Sequence, residues 1–208
     1  MALIKKHTEQ HVEELPAFAS LDEAYGYCRD NEGDYDKQSY AIEEIAKFKG
    51  GGEMLVRLLV EAPFVDKNLA AAIGAVLAKI GPKKAPVESV MELLRVKNAY
   101  IRNLGITTLQ SYGDAIKYYI VKYLIGDDRD LRIFAINVLG DVNFPESRDM
   151  LVELLEKEKD VNVAMTAVDY MAEIGEPRDI PLLESIKGRF DDPYVAFAVD
   201  NAIRSIRG

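Results

Sequence analysis

The stretch Val163–Gly175, VAMTAVDYMAEIG, decides the fold, because its pattern recurs along the 208-residue chain. Copies read LAAAIGAVLAKIG from Leu69, IRNLGITTLQSYG from Ile101, LRIFAINVLGDVN from Leu131 and VAFAVDNAIRSIR from Val195. Successive copies start 32, 30, 32 and 32 residues apart. Self-similarity at a fixed period of this length predicts a repeat architecture.

Each copy has the apolar spacing of one helical face. Its first, fifth, ninth and twelfth positions are apolar or small, as in Val163, Ala167, Met171 and Ile174. Steps of four, four and three residues place these side chains on one side of an α-helix. A fainter copy, KQSYAIEEIAKFK, starts at Lys37 and breaks the rule at its first position. Small fifth residues would let a neighbouring helix approach closely, and these are Gly105, Ala135 and Ala167.

Polar and helix-breaking residues mark the ends of the predicted helices. Carboxylates that can cap free N–H groups precede four of them, at Asp66, Asp128, Asp160 and Asp192. Residues typical of C-terminal stops close four copies, at Gly81, Gly113, Asn143 and Gly175. Proline, which prevents continuation, follows at Pro82, Pro145 and Pro177.

Second helices are predicted between these repeats from their own apolar spacing, at Val87–Leu94, Ala115–Leu124, Asp149–Leu155 and Ile180–Ile186. Each unit is then a helix, a tight turn and a second helix. One such hairpin cannot bury its apolar faces alone, so stacking of the units into a curved solenoid is expected. The run Gly50-Gly51-Gly52 is interpreted as a flexible turn between the helices of the first, degenerate unit.

The N-terminal region departs from the repeat. Ser20-Leu21-Asp22-Glu23 has the S-x-x-E pattern of a capping box and should open a helix that extends to about Arg29. An earlier helix is expected near Thr8–Leu15, ending before Pro16. We predict a helical cap over residues 1–35 and a single continuous repeat domain over residues 36–208.

The units from Asp128 onward resemble HEAT repeats, in particular the short HEAT-like repeats of phycobilisome lyases. The resemblance lies in the fourth copy and in the residues after it, Glu176-Pro177-Arg178-Asp179-Ile180-Pro181-Leu182-Leu183. Arg132 keeps the arginine typical of the second position, whereas Ala164 and Ala196 depart from it. The resemblance implies an all-α, right-handed α-solenoid of about five helical hairpins. It specifies the fold well and the function poorly.

The resemblance also implies a binding surface, because in this family the first helix of each unit lines the concave side. The seventh positions would then point into the groove, at Glu43, Ala75, Thr107, Asn137, Asp169 and Asn201. The third positions would form an adjoining strip, at Ser39, Ala71, Asn103, Ile133, Met165 and Phe197. An apolar strip of Ile133, Met165 and Phe197 beside polar residues would suit a protein-binding groove. The alternative is that these three side chains pack within the stack.

The candidate partner-binding residues are therefore Asn103, Thr107, Ile133, Asn137, Met165, Asp169, Phe197 and Asn201.

The charge of the chain argues against general nucleic-acid binding. The formal net charge is −9, from 26 Lys/Arg and 35 Asp/Glu, whereas nucleic-acid binders need a basic face. The charge is uneven, with residues 1–64 at −6, residues 65–126 at +5 and residues 127–208 at −8. The basic middle also holds Tyr112, Tyr118, Tyr119 and Tyr123. It could be a partner's footprint or simply a set of solvated helix faces.

No catalytic constellation is apparent. His7 and His11 are spaced i, i+4 as a metal site could use, but with no further confirmed ligand they are interpreted as solvent-exposed. Cys28, the one cysteine, is interpreted as a packed thiol rather than a nucleophile. No Gly-rich phosphate loop is present. We expect no enzyme activity, no metal and no cofactor.

These observations favour a non-catalytic scaffold or adaptor that binds a protein partner through the groove of the C-terminal repeats. The alternative is a lyase-like or chaperone-like factor that handles a tetrapyrrole or metal cofactor, by analogy with the phycobilin lyase repeats. No window of the sequence reaches the ~20 apolar residues of a membrane span, and no signal peptide is apparent. The expected compartment is the cytoplasm.

Overall fold

The computed structural model describes residues 15–208 except positions 82, 143 and 191, and the described chain is helical, without strands. The helices are α1 (Leu21–Asp30), α2 (Tyr35–Ile45), α3 (Gly51–Glu61), α4 (Lys67–Lys79), α5 (Val87–Glu92), α6 (Ala99–Ser111), α7 (Lys117–Leu124), α8 (Arg129–Gly140), α9 (Glu146–Lys157), α10 (Val161–Ile174), α11 (Ile180–Arg189) and α12 (Pro193–Arg207). Short 3₁₀ segments cover Leu93–Arg95, Gly113–Ile116 and Pro177–Asp179. The predicted all-α class is confirmed.

The helices form two layers. In the first layer α2, α4, α6, α8, α10 and α12 each contact the next in this order. In the second layer α3 contacts α5, α5 contacts α7, and α9 contacts α11. Helix α1 packs on α2. Most of these contacts join adjacent units, with a smaller one between α8 and the Leu93–Arg95 segment, so the architecture is the stacked one expected of a solenoid.

The predicted N-caps are confirmed. Asp66, Asp128, Asp160 and Asp192 each accept a hydrogen bond from a backbone N–H of the first turn that follows. Two further caps escaped the sequence analysis. Asp34 caps α2 through the Lys37 N–H, and Asn98 caps α6 through the Tyr100 N–H. Every first-layer helix therefore begins at an Asp or Asn whose side-chain oxygen accepts a hydrogen bond from the first turn.

The predicted stops hold less uniformly. Of the three stops that the structure describes, only Gly113 has the left-handed conformation of a C-terminal glycine, with φ of 52°. Gly175 has φ of −68° and ends α10 in an extended conformation, and Gly81 also lacks a positive φ. Asn143 lies outside the described residues.

The repeat positions predicted to face the core do so. The first, fifth and ninth positions of the five full copies are all buried, from Leu69, Ile73 and Leu77 in α4 to Val195, Val199 and Ile203 in α12. The small fifth residues permit close packing as expected. A Cβ on Gly105 would lie 2.8 Å from the Cβ of Leu93.

Neighbouring units are joined by polar contacts as well as by the core. The buried Tyr112 hydroxyl donates to the carbonyl of Leu77 over 3.1 Å, and the Tyr123 hydroxyl donates to Glu92 Oε1 over 2.7 Å. These two contacts span 35 and 31 residues. They fasten one unit to the unit before it.

Two nearly buried ion pairs join the second-layer helix α9 to the helices on either side. Arg132 of α8 forms a fork with Glu158, with Nε–Oε2 of 2.9 Å and Nη2–Oε1 of 3.3 Å. Glu158 Oε1 also accepts from the backbone N–H groups of Lys159 and Asp160. Arg148 binds Asp179 in the same bidentate manner. Such forks fix geometry as well as charge.

The N-terminal helix begins at the predicted capping box with one difference. Ser20 Oγ accepts from the Glu23 N–H over 3.2 Å, but the Glu23 carboxylate accepts from the N–H of Ala19 rather than from that of Ser20. Gln38 ties α2 to α1 by donating to the carbonyl of Cys28 over 3.2 Å. The helix predicted at Thr8–Leu15 lies almost wholly outside the described residues.

The interpretation of Gly50-Gly51-Gly52 as a flexible turn is wrong for two of its three residues. Gly50 makes the turn, with φ of 82°, but Gly51 and Gly52 open α3 and are buried. A Cβ on Gly51 would lie 1.9 Å from the Ile45 carbonyl oxygen. Gly51 therefore permits close backbone packing, and the second helix of this unit begins two residues earlier than a three-glycine turn would allow.

Candidate functional site

The seventh positions of the repeats form a row that faces solvent along the first layer. Glu43, Ala75, Thr107 and Asp169 are exposed, and Asn137 and Asn201 are half-buried. The six residues belong to six successive first-layer helices, each in contact with the next. We call this surface the polar row. Each member of the polar row thus lies on a helix that packs against the helix of the next member.

The third positions do not form the predicted apolar strip. Met165 is 5% exposed and belongs to the core, whereas Phe197 is 64% exposed and Ile133 is half-buried. Asn103 is exposed. The prediction that Met165 lies on the binding surface is therefore wrong, because this side chain belongs to the buried hydrophobic core, as the alternative interpretation expected.

The C-terminal part of the polar row carries polar groups that are not committed elsewhere. The side chains of Asn137, Asp169 and Asn201 have no hydrogen bond or ion pair with any described residue. Only the backbone carbonyl of Asn137 is engaged, accepting from Gln110 Nε2 over 3.0 Å. The same Gln110 nitrogen donates to Asp141 Oδ2 over 2.8 Å. Gln110 thus fixes α6 against α8 while leaving the Asn137 amide available.

Asp169 has an unusual electrostatic environment for a surface carboxylate. Partial burial raises its pKa, because desolvation penalises the ionised form. The next residue, Tyr170, also has a raised pKa, chiefly from burial and then from nearby Asp141. Its ring lies directly over Gly140 of α8, where a Cβ would come within 1.7 Å of the ring. A partner that donates a hydrogen bond or a positive charge would stabilise the ionised Asp169.

A cleft between α7 and α9 was not predicted. Its volume is 340 Å³, and its apolar lining comes from Val121, Leu124 and Ile125 on one side and from Met150 and Leu154 on the other. Charged residues form its rim, including Glu153 and Lys157, which pair with each other at 2.8 Å. The sequence contained one indication of this surface. Helix α7 and its C-cap have more apolar residues than one buried face needs, among them Val121 and Ile125.

The tyrosines of the basic middle divide between core and surface. Tyr112 and Tyr123 are buried, and burial raises the pKa of Tyr123 to about 12. Tyr118 is 86% exposed and Tyr119 is at the margin of exposure. The four rings therefore do not form one stacking platform.

The remaining sequence candidates offer no site. Cys28 is buried, as predicted for a packed thiol, and burial raises its pKa to about 11. That value keeps the thiol protonated at neutral pH and unreactive. His7 and His11 lie outside the described residues. Within the described ranges no group of His, Cys, Asp and Glu is arranged to hold a metal ion, and no helix is long and apolar enough to cross a bilayer.

Stacked helical hairpins with a first layer in register define this chain as an α-solenoid. Residues 119–204 match the family model for HEAT repeats. This segment, from α7 to α12, is therefore similar to HEAT repeats, and it contains the units in which the sequence pattern is clearest. No curated protein sequence matches the chain.

Three solved structures illustrate the range of similar chains. Cex1p is 9% identical, with 90% of this chain and 43% of that chain covered and a TM-score of 0.48. The archaeal HEAT-like repeats protein from Thermococcus onnurineus NA1 is 11% identical, with 90% and 87% covered and a TM-score of 0.42. The complex of CpcE and CpcF of phycocyanin lyase from Nostoc sp. PCC7120 is 14% identical, with 96% and 99% covered and a TM-score of 0.34.

Proposed function

We propose that this chain is a non-catalytic cytoplasmic scaffold that binds a protein partner on the C-terminal part of its polar row. The observation that carries the proposal is the set of uncommitted polar side chains on three neighbouring helices, Asn137, Asp169 and Asn201. Amide and carboxylate groups at one repeat spacing can hydrogen-bond to the backbone of an extended segment of a partner. Phe197, exposed on the same helix as Asn201, supplies an apolar contact.

The geometry favours a peptide segment over a small molecule at this surface. The polar row extends across several helices and is open to solvent, whereas small-molecule sites are concave and bury most of their ligand. Extended surfaces built from successive repeats are the usual binding surfaces of solenoids. The raised pKa of Asp169 adds a preference for a donor or a cation in the partner.

The test is affinity capture from the source cell with the wild-type chain and with Asp169→Arg and Asn201→Arg. Both substitutions place a long cation in the row without touching the core, so the melting temperature should stay near that of the wild type. A partner bound at the row should be retained by the wild type and lost from both variants.

Glu61→Arg serves as the matched control, because Glu61 is an exposed carboxylate at the end of the second-layer helix α3. It should retain the partner. A partner that binds both row variants as well as the wild type would exclude the polar row as the binding surface.

A further inference from the structure

Helix α7 is apolar on more than one side. Its buried face consists of Ile120, Tyr123 and Leu124. A second stripe faces solvent at spacing i, i+3, i+7, with Tyr118 86% exposed, Val121 partly exposed and Ile125, at the C-cap, 75% exposed. A helix that is hydrophobic all round is normally covered on all sides. The exposed apolar stripe therefore indicates a binding surface.

The stripe continues into the cleft between α7 and α9. Val121 and Ile125 form one wall, and Met150 and Leu154 of α9 form the other. Helix α9 contacts α11 and α7 contacts α5, but this cleft separates α7 from α9. The second layer is therefore open at this point. The opening combines apolar walls with charged lining residues, among them Asp127, Arg132 and Lys159, and it is large enough to accept side chains from another chain.

The charges of the two walls identify the occupant. Helix α7 carries Lys117 and Lys122 and no acid, whereas α9 carries four carboxylates, from Glu146 to Glu156, against two cations. The two helices thus have net charges of +2 and −2. An α7 that docks against a second α7 would be repelled, whereas an α7 that docks against the α9 of another copy would be attracted.

We propose that a second copy of this chain occupies the cleft, about a two-fold axis that runs along it. In this arrangement α7 of each copy faces α9 of the other, and Ile125 of each copy enters the other's cleft. Lys122 of each copy then lies opposite Glu153 of its partner. Each of the two exchanges an exposed pair within its own chain, with Glu88 at 3.9 Å and with Lys157 at 2.8 Å, for the contact between copies. Such an isologous contact closes on itself, because the same patch is used twice.

The size of the surface sets the strength of the dimer. Helices of 8 and 12 residues side by side present roughly 400 Å² per copy, below the about 800 Å² per partner of a standard interface. The dimer is accordingly weak and should form only at high protein concentration. It forms on the second layer and leaves the polar row of the first layer free.

Sedimentation equilibrium over a concentration series tests the proposal on the full chain. The wild type should shift from monomer towards dimer as its concentration rises. Ile125→Glu should weaken the dimer by about tenfold or more, since a carboxylate would enter an apolar cleft. Val60→Glu is the matched control, because Val60 is 53% exposed on another second-layer helix. It should dimerise as the wild type does.

A charge exchange tests the pairing of α7 with α9. Lys122→Glu alone and Glu153→Lys alone should each weaken the dimer several-fold, and the double variant should recover most of the loss. Thermal melts of each variant check that the monomer remains folded. A wild type that stays monomeric at millimolar concentration overturns the dimer. A dimer indifferent to Ile125→Glu, or a double variant weaker than both single variants, overturns this arrangement.

These outcomes are separate from those of partner capture. Loss of the dimer with retention of a partner on the polar row would reject only the two-fold contact. Loss of a captured partner from Asp169→Arg, with the dimer intact, would bear only on the row.

Discussion

Three residues at the same repeat position occupy three different environments. Ile133 is half-buried, Met165 is buried and Phe197 is exposed. Their spacing along the helix is identical, so a helical wheel assigns them one face. The packing of neighbouring helices decides the difference. Met165 lies on α10, between α8 and α12, whereas Phe197 lies on α12, which contacts α10 and α11 within the described chain.

Met165 should therefore behave as a core residue. Met165→Glu should lower the free energy of unfolding by about 3 kcal/mol or more, because it places a carboxylate in a site that is 5% exposed. Met165→Leu keeps the volume and should cost less than about 1.5 kcal/mol. Urea unfolding followed by circular dichroism measures both values. An unchanged unfolding midpoint for Met165→Glu would instead indicate that Met165 is a surface residue.

Asp169 should make stability depend on pH in a definite direction. Its pKa is raised in the folded state, so the ionised carboxylate disfavours folding. The free energy of unfolding therefore decreases as pH rises through the range in which carboxyl groups ionise. Asp169→Asn lacks that penalty. Its melting temperature relative to the wild type should increase from acidic to neutral pH. Glu173→Gln, on the same helix, is the control, and an equal trend in both variants would argue against a role of Asp169 burial.

At the level of single residues the sequence predicted what local spacing determines. The caps at Asp128 and Asp160 follow from their place before an apolar run, and they were found where expected. The Arg132–Glu158 fork was not predicted, because it joins residues 26 apart through the course of α9. Burial of the third position depends on how the next unit packs against the helix, and the apolar spacing within one helix does not predict that packing.

At the level of elements the first-layer helices were predicted within a few residues, whereas α3 was expected only as the helix after a glycine turn, and its start was misplaced. Its apolar residues, among them Leu55, Leu58 and Leu59, are spaced as a helix requires. The three glycines before them suggested a flexible loop instead. The structure shows that Gly52 is needed because a Cβ there would lie 2.8 Å from the Pro86 ring. Glycine at an interface of backbones and glycine in a loop have the same appearance in a single sequence.

The contact between α8 and α10 also depends on a glycine that packs closely against a neighbouring helix, and this can be tested. Gly140→Ala would normally stabilise a helix by about 1 kcal/mol. Here the added methyl meets the Tyr170 ring, so we expect a loss of about 1–3 kcal/mol. In a Tyr170→Ala background the same substitution should become neutral or stabilising. Four melting curves complete the double-mutant cycle, and equal effects in both backgrounds would exclude the clash.

The fork between α8 and the end of α9 should contribute strongly to stability. The Arg132 and Glu158 side chains are 15% and 7% exposed, so Arg132→Ala leaves a nearly buried carboxylate without its partner. We expect a loss of about 2–4 kcal/mol in the free energy of unfolding. Arg129→Ala removes an exposed pair with Asp130 on the same helix and should cost less than about 1 kcal/mol. Denaturant titration of the two variants distinguishes the cases, and equal losses would contradict a special role for Arg132.

At the scale of the whole molecule the repeat period and the layered stack were predictable from the sequence. The hairpin cannot be stable alone, and the period fixes which helices become neighbours. The opening between α7 and α9 was not predictable in this way. It depends on how far apart two second-layer helices come to lie, and the period of the first layer does not determine that distance.

The overall charge leads to a prediction for the intact chain. With a net charge of −9 and a basic segment of +5 confined to residues 65–126, the chain should elute from heparin at low salt. A nucleic-acid binder would be retained at moderate salt. Elution at increasing salt concentration from a heparin column measures the difference, and retention at physiological salt would revive the basic middle as an interface.

The opening between α7 and α9 also determines how the molecule bends. The first layer runs unbroken through α6 and α8, whereas the second layer is bridged across the opening by the Lys117–Glu146 contact near its end. A two-layer stack that is continuous in one layer and open in the other bends most easily at the opening. We therefore expect bending at this opening to turn α8–α12 against α1–α7 and to change the spacing between Thr107 and Asn137 in the polar row. A force on one end of the solenoid should thus change the length of the surface that we propose binds a partner.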